Sequence, residues 1–291
     1  METVEELKGK IESTEDLQSV VKTMKALAAV NIRQYEKAVQ ALEDYSRTVE
    51  MGLRVVLQDR PGIPVAARTA PRDQMGAIVF GSDQGMCGQL NDQIVGHVLK
   101  TMEDLGIEER YILAVGERVM ARMEDEGQKI EKYFQVPTGI TGIIPAVQTL
   151  LAEIERWNRE YGLNQVFLFH SQQLSGASLR PHSVHLLPID DRWLRQLRGT
   201  PWPTKALPMF TMEWDPLFSA LIREYLFISF FRAFAESLAS ENASRLASMQ
   251  GAEKSIEERL GELNTRFHQR RQMAITEELL DIVSGFEALS H

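Results

Sequence analysis

Apolar or small residues recur at every third or fourth position at the start of the chain: Val4, Leu7, Ile11, Thr14, Leu17, Val21, Met24, Ala28, Ile32, Tyr35, Val39, Leu42, Tyr45, Val49, Leu53 and Val56. Fifteen steps cover 52 residues, about 3.5 residues per step, the spacing of a left-handed coiled coil. The end of the chain repeats it through Leu246, Met249, Ala252, Ile256, Leu260, Leu263 and Phe267. All eleven prolines lie between positions 61 and 216. Both ends are therefore free of the residue that breaks helix interiors at a cost of about 3 kcal/mol. A helix of about 55 residues reaches roughly 80 Å at 1.5 Å per residue. Neither helix can bury its stripe alone, so the pattern predicts that first and last pair antiparallel; the alternative is that each zips onto its own copy in a dimer.

Between the ends the period changes. The runs 75–80 (MGAIVF), 111–115 (YILAV) and 165–170 (QVFLFH) predict buried strands. Residues 89–104, 116–126 and 145–161 carry helical spacing between them. Strands alternating with helices predict a small, largely parallel, Rossmann-like α/β sheet. KIEKYFQV at 129–136 adds a strand, and SVHLLPID at 183–190, which contains a proline, suits an edge. The predicted organisation is an N-terminal shaft helix over 1–60, a central globular α/β domain over 61–213 and a C-terminal shaft helix over 214–291. Pro61–Pro71 and Thr200–Pro216 form the joints.

Composition narrows the function classes. A formal charge of −9 disfavours a broad electrostatic attraction to nucleic acid or anionic lipid. The single cysteine, Cys87, excludes an internal disulfide and a multi-cysteine zinc site. His97, His170, His182 and His185 show no metal-ligand spacing, and no cofactor is predicted. METVEELKGKIESTEDL lacks a signal-type apolar core, and no run approaches the roughly 18 apolar residues of a membrane span. An intracellular chain without direct membrane insertion is expected.

The loop GSDQGMCGQLN, 81–91, raises the question of nucleotide binding. Its glycines at 81, 85 and 88 match neither the dinucleotide nor the P-loop spacing. Glu117, just after the strand YILAV, is the one candidate ribose-binding acid. The plainer reading is a tight strand-to-helix turn in which Gly85 takes positive φ, Asn91 or Asp92 caps or opens the next helix, and Cys87 is a small packed residue.

The same loop resembles the [ST]-D-R-G-L-C-G-x-x-N signature of the gamma subunit of rotary F-type ATP synthases. ASENASRLASM and RQMAITEELLDIV resemble that family's C-terminal signature, and LKGKIESTEDLQSVVKTMKALAAV its opening helix. The resemblance covers essentially the whole chain. Gln84 stands where the family's loop carries arginine, and KALAAVNIRQYEKAVQALEDY departs from the usual continuation of the first helix, departures similar to the divergent sodium-pumping N-type branch.

The resemblance implies a non-catalytic rotor shaft, peripheral on the cytoplasmic face of the cell membrane. Its implied partners are the ring of alpha and beta subunits, an epsilon subunit and the membrane c-ring. It also implies partner contacts at Met24, Gly85, Cys87, Arg271, Gln272 and Thr276. Read from residues alone, Met24 is a core-stripe methionine. The basic cluster Arg266, His268, Arg270 and Arg271 is either a solvated helix face or a catch on loops of the ring. Two other classes compete: a small-molecule-binding α/β oxidoreductase with helical dimerisation arms, resting on the glycine loop alone, and a coiled-coil scaffold.

Overall fold

The computed structural model describes residues 2–59, 74–175, 178–202 and 208–289. The joint at Pro61–Pro71 lies outside them, as does part of the second joint. Eleven elements follow in order: α1 (Val4–Asp59), β1 (Gln74–Phe80), α2 (Leu90–Asp104), β2 (Glu109–Val115), α3 (Glu117–Asp125), β3 (Ile130–Phe134), α4 (Ile140–Tyr161), β4 (Val166–Ser175), β5 (Ser178–Leu187), α5 (Asp191–Gly199) and α6 (Trp214–Leu289). The chain divides into two compact units, Met1–Ala28 with Leu246–His291, and Ala29–Arg245.

In the larger unit, the sheet order is β3-β2-β1-β4-β5. β1 pairs in parallel with β2 and β4, β2 with β3, and β5 closes the edge antiparallel to β4. Alternate side chains of β1 face opposite ways, which builds two cores. Met75, Ala77 and Val79 meet Ile94, Val98 and Val119 of α2 and α3. Ile78 and Phe80 meet α4 together with Tyr35 of α1 and Phe230 and Phe234 of α6. Phe80 and Phe234 make an edge-to-face contact at 4.8 Å. Each such buried side chain contributes about 1.5–3 kcal/mol. The terminal helices are thus one wall of the domain's core.

Within this unit they run antiparallel: Asn31 bonds Asn242, Tyr45 bonds Glu224, and the Trp214 indole donates to the Val56 carbonyl at 2.8 Å. In the smaller unit, Val21, Met249 and Ile256 form a core flanked by Met24, Ala252 and Leu260, and Lys25 pairs with Glu253. Thr3 and Glu6 close a reciprocal capping box at the start of α1. Leu7, Val21, Ala28, Tyr35, Leu42, Val49 and Val56 are all buried, and neighbours in that set are seven or fourteen residues apart. Met249, Ile256 and Leu263 repeat the heptad on α6. Leu17 and Tyr45, assigned to the stripe, are 52% and 44% exposed. The buried residues of α1 fall mainly on one heptad position, with Thr14 half-buried in that series and Leu53 and Leu57 joining it near the helix end, and the Tyr45 hydroxyl turns aside to Glu224.

Three boundaries differ from the pattern. α4 begins at Ile140 rather than Pro145, because Ile143 lies on the buried face with Val147 and Leu150. Pro216 sits in the first turn of α6, where a missing N–H costs nothing. β4 runs on through the polar SQQLS because β5 supplies its ladder. The sequence pattern missed α5 entirely. Its signals are the Asp190 side chain accepting from the Arg192 N–H, and Leu194 and Leu197 packing beside Leu53 and Leu57.

Candidate functional site

The loop from Gly81 to Gln89 leaves β1, and its neighbours explain its composition. A β-carbon on Gly81 would lie 2.3 Å from Val119 Cβ and 2.6 Å from Asn91 Oδ1. One on Gly116, at φ +120°, would lie 2.8 Å from the Ser82 backbone. The starts of α2 and α3 therefore approach the loop closer than any side chain permits. Asn91, expected to cap or open the helix, lies in the first turn of α2 and also ties the loop together: its Oδ1 accepts from the Ser82 N–H at 3.1 Å and its Nδ2 donates to Ser82 Oγ at 2.9 Å. Gln89 holds the cap position.

Gly85 also differs from expectation. The positive-φ residues of the loop are Met86 (60°) and Gly88 (58°). A β-carbon on Gly85 would meet only Arg118 Nη2, at 3.9 Å, so valine there is not strained as predicted. Met86, 63% exposed, holds the left-handed conformation at a cost on the order of 1 kcal/mol.

Asp83 ties the loop to the segments that follow β2 and β3. Its Oδ1 accepts from the Glu117 N–H at 2.8 Å and from the Tyr133 hydroxyl at 3.0 Å, and its Oδ2 from the Val136 N–H at 2.8 Å. A carboxylate thus caps the N-terminus of α3 and satisfies its first N–H. Glu117 contributes its backbone N–H to this cluster. The observation that carried the oxidoreductase reading is accounted for within the fold.

The loop's outer side bonds to α6. Arg245 Nη2 donates to the Gln84 and Gly85 carbonyls at 3.3 and 3.4 Å, and Ser244 Oγ donates to the Cys87 carbonyl. Arg245 also pairs with Glu241 at 2.7 Å, both nearly buried. Burial pushes the Glu241 carboxyl up, opposed by the Arg245 guanidinium. Burial, and then the Glu241 charge, raises the Tyr35 phenol. Cys87 is 2% exposed, its thiol held among Ser82 Oγ, Asn91 Nδ2 and the Gln84 carbonyl, while its own carbonyl accepts from Ser244. Sequence reasoning missed this docking of the two signature stretches. Its one signal is a helical stretch, SENASR, whose polar residues replace the apolar stripe.

The remaining candidates lie apart, in the smaller unit. Met24 is half-buried beside Val21 and Met249. Arg271, Gln272 and Thr276 are exposed on α6, and Thr276 Oγ1 donates to the Gln272 carbonyl at 2.9 Å. Gln269, Gln272, Met273 and Thr276 share one helix face. Around them Met273, Ile275, Leu279, Leu280, Ile282 and Val283 are 47–68% exposed. Among the described residues no cluster could hold a metal, and no helix is long and apolar enough to cross a membrane.

The fold and loop define a protein in which an α/β domain is built onto the two terminal helices of its own chain, its first loop bonded inward to the last helix. Residues 3–289 match the ATP synthase family, and the chain belongs to it. It is similar to the ATP synthase gamma chain of Polynucleobacter necessarius, 24% identical over 99% of this chain and 100% of that one. It is 27% identical to the gamma chain of Anaeromyxobacter sp. over the same shares. In fold it resembles the rotor of Euglena gracilis mitochondrial ATP synthase, with a TM-score of 0.63 and 13% identity over 94% of this chain and 98% of that one. It also resembles the central stalk of the Tetrahymena thermophila enzyme, with a TM-score of 0.59 and 20% identity over 80% and 99%.

Proposed function

We propose that the chain is the central rotor stalk (gamma) subunit of an F-type or N-type ATP synthase, coupling ion-driven rotation to ATP synthesis or hydrolysis on the beta subunits. The observation that carries this reading is the family match over residues 3–289, joined by gamma-chain relatives that align end to end. The chain itself is non-catalytic and sits in a membrane-associated complex, on the cytoplasmic face. Its division is functional: helix 1–60 and helix 214–291 form the shaft, and 61–213 the foot that meets the c-ring and an epsilon subunit. Turning an asymmetric shaft against three chemically equal beta sites gives each a different surrounding, and so shifts each between open and closed states.

Two features of the structure support the contacts assigned. The run of exposed apolar residues from Met273 to Val283 is unusual for a helix facing water and suits a sleeve supplied by the ring. Arg271, Gln272 and Thr276, exposed beside it, are free to form an angle-dependent catch, whereas Met24 packs in the paired helices and acts through their geometry. The test is co-expression with the alpha and beta subunits of the same enzyme. A ring that incorporates the chain and rotates it during ATP hydrolysis supports the reading. A chain that stays outside the ring, or binds NAD or ATP itself at micromolar concentration, refutes it.

A further inference from the structure

One stripe of α6 meets the α/β domain through directed hydrogen bonds. Glu236 Oε2 lies 2.8 Å from His170 Nε2 and accepts from Gln172 Nε2 at 2.8 Å. Ser240 Oγ donates to the Ser171 carbonyl at 2.9 Å, and Ser244 Oγ to the Cys87 carbonyl. The three donors and acceptors on α6 are spaced four apart, so they stand one above another on a single face. That face spans about 12 Å of helix axis at 1.5 Å per residue. Their partners lie on β4 and in the loop after β1. Ser240 is fully buried and Ser237, Ala239 and Ala243 nearly so. Small residues here bring the helix close enough for its hydroxyls to reach backbone oxygens.

We infer that Glu236, Ser240 and Ser244 are an angular key, positioning residues that fix the rotation of α6 about its own axis relative to the α/β domain and so carry torque between them. The inference rests on the rotor reading. Apolar ridges resist separation of helix and sheet, and they yield to small rotations by side-chain adjustment. Hydrogen bonds are stricter. An atom roughly 5 Å from the helix axis moves about 0.9 Å in a turn of about 10°, which stretches a bond near 2.9 Å to about 3.8 Å where the motion runs along it and tilts the bond by roughly 17° where the motion runs across it. The four bonds on this stripe are all displaced together by such a turn.

The experiment uses the assembled complex, with the ring immobilised and arrested in one nucleotide state, and a bead attached to the foot through Lys129→Cys. The thermal angular fluctuation of the bead reads the torsional stiffness. In the triple variant Glu236→Gln, Ser240→Ala, Ser244→Ala we expect the mean-square fluctuation to rise at least about two-fold and ATP synthesis near threshold ion gradient to fall several-fold. Unloaded ATP hydrolysis should stay within about two-fold of the unmodified complex, because the beta sites are untouched. Ser244→Thr, which keeps the hydroxyl, should retain the unmodified stiffness. A merely structural role would lower the melting temperature without changing stiffness, and unchanged fluctuation in the triple variant overturns the key. Should the triple variant not assemble, Ser240→Ala and Ser244→Ala are measured singly; unmodified stiffness in both overturns it equally. An unmodified chain that never enters the ring overturns the rotor reading, and the key with it.

Discussion

Replacing Arg245 by methionine tests the docking of the loop on α6 most directly. The side chain is 10% exposed and donates to Glu241 Oε1 at 2.7 Å and to the carbonyls of Gln84 and Gly85. Methionine preserves much of the volume and removes all three bonds. Leaving a buried carboxylate without its partner costs about 3–5 kcal/mol. The two stranded carbonyls add about 1 kcal/mol each where water does not reach them. Glu241 can relieve part of this by taking up a proton, since burial already pushes its carboxyl up. A net loss of about 3–5 kcal/mol is expected at pH 7, or roughly 6–20 °C in melting temperature for a unit of this size. All four tryptophans, at 157, 193, 202 and 214, lie in the unit Ala29–Arg245, so their fluorescence during urea unfolding follows that unit. Arg245→Met with Glu241→Gln should recover most of the loss, because the amide leaves no buried charge. A single-variant loss below about 1 kcal/mol, or a double variant that loses the sum of both, would refute the reasoning.

Gly116→Ala places a β-carbon against the Ser82 backbone at φ +120° and should cost at least about 1–3 kcal/mol from strain alone, while Gly85→Val, with open space, should cost far less; thermal melts of the two check the order. Burial lowers His182, which the neighbouring His170 depresses further, and likewise lowers His185. A base whose folded pKa is depressed supports folding fully above its unfolded pKa of 6.5 and loses that support as pH falls through the folded value. The urea midpoint should therefore fall between pH 7.5 and pH 5, and less so in His185→Gln; a flat profile contradicts this. Deleting residues 2–28 removes the α1 half of the smaller unit, and the loss of helix by circular dichroism should exceed the deleted segment itself, since Met249 and Ile256 lose their partner Val21. Arg271→Ala with Gln272→Ala should leave the isolated chain within about 0.5 kcal/mol, as exposed substitutions do, and change ATP hydrolysis by the assembled complex; an unchanged rate and unchanged coupling remove the catch.

The sequence by itself determined the two long terminal helices, the five strands and their alternation with helices, and the family. Each rests on short-range information: a heptad repeat, the absence of proline, an apolar run, a motif of a dozen residues. Even the burial of Leu7, Val21, Ala28 and Tyr35 follows from their period. Features that depend on two distant segments were decided only by the tertiary structure. Asp83 reads as a loop acid until the start of α3 and the residue after β3 are brought to it. Glu236, Ser240, Glu241, Ser244 and Arg245 carry no signal of burial in their own stretch, because polar residues on a helix usually meet water. Here they meet the carbonyls of residues 84, 85, 87 and 171, the side chains of His170 and Gln172, or one another. Whether a polar side chain is solvated or bonded inside depends on what the chain folds over it. Periodicity along one helix cannot encode that, because the partner lies some 157 residues away, as Cys87 does from Ser244.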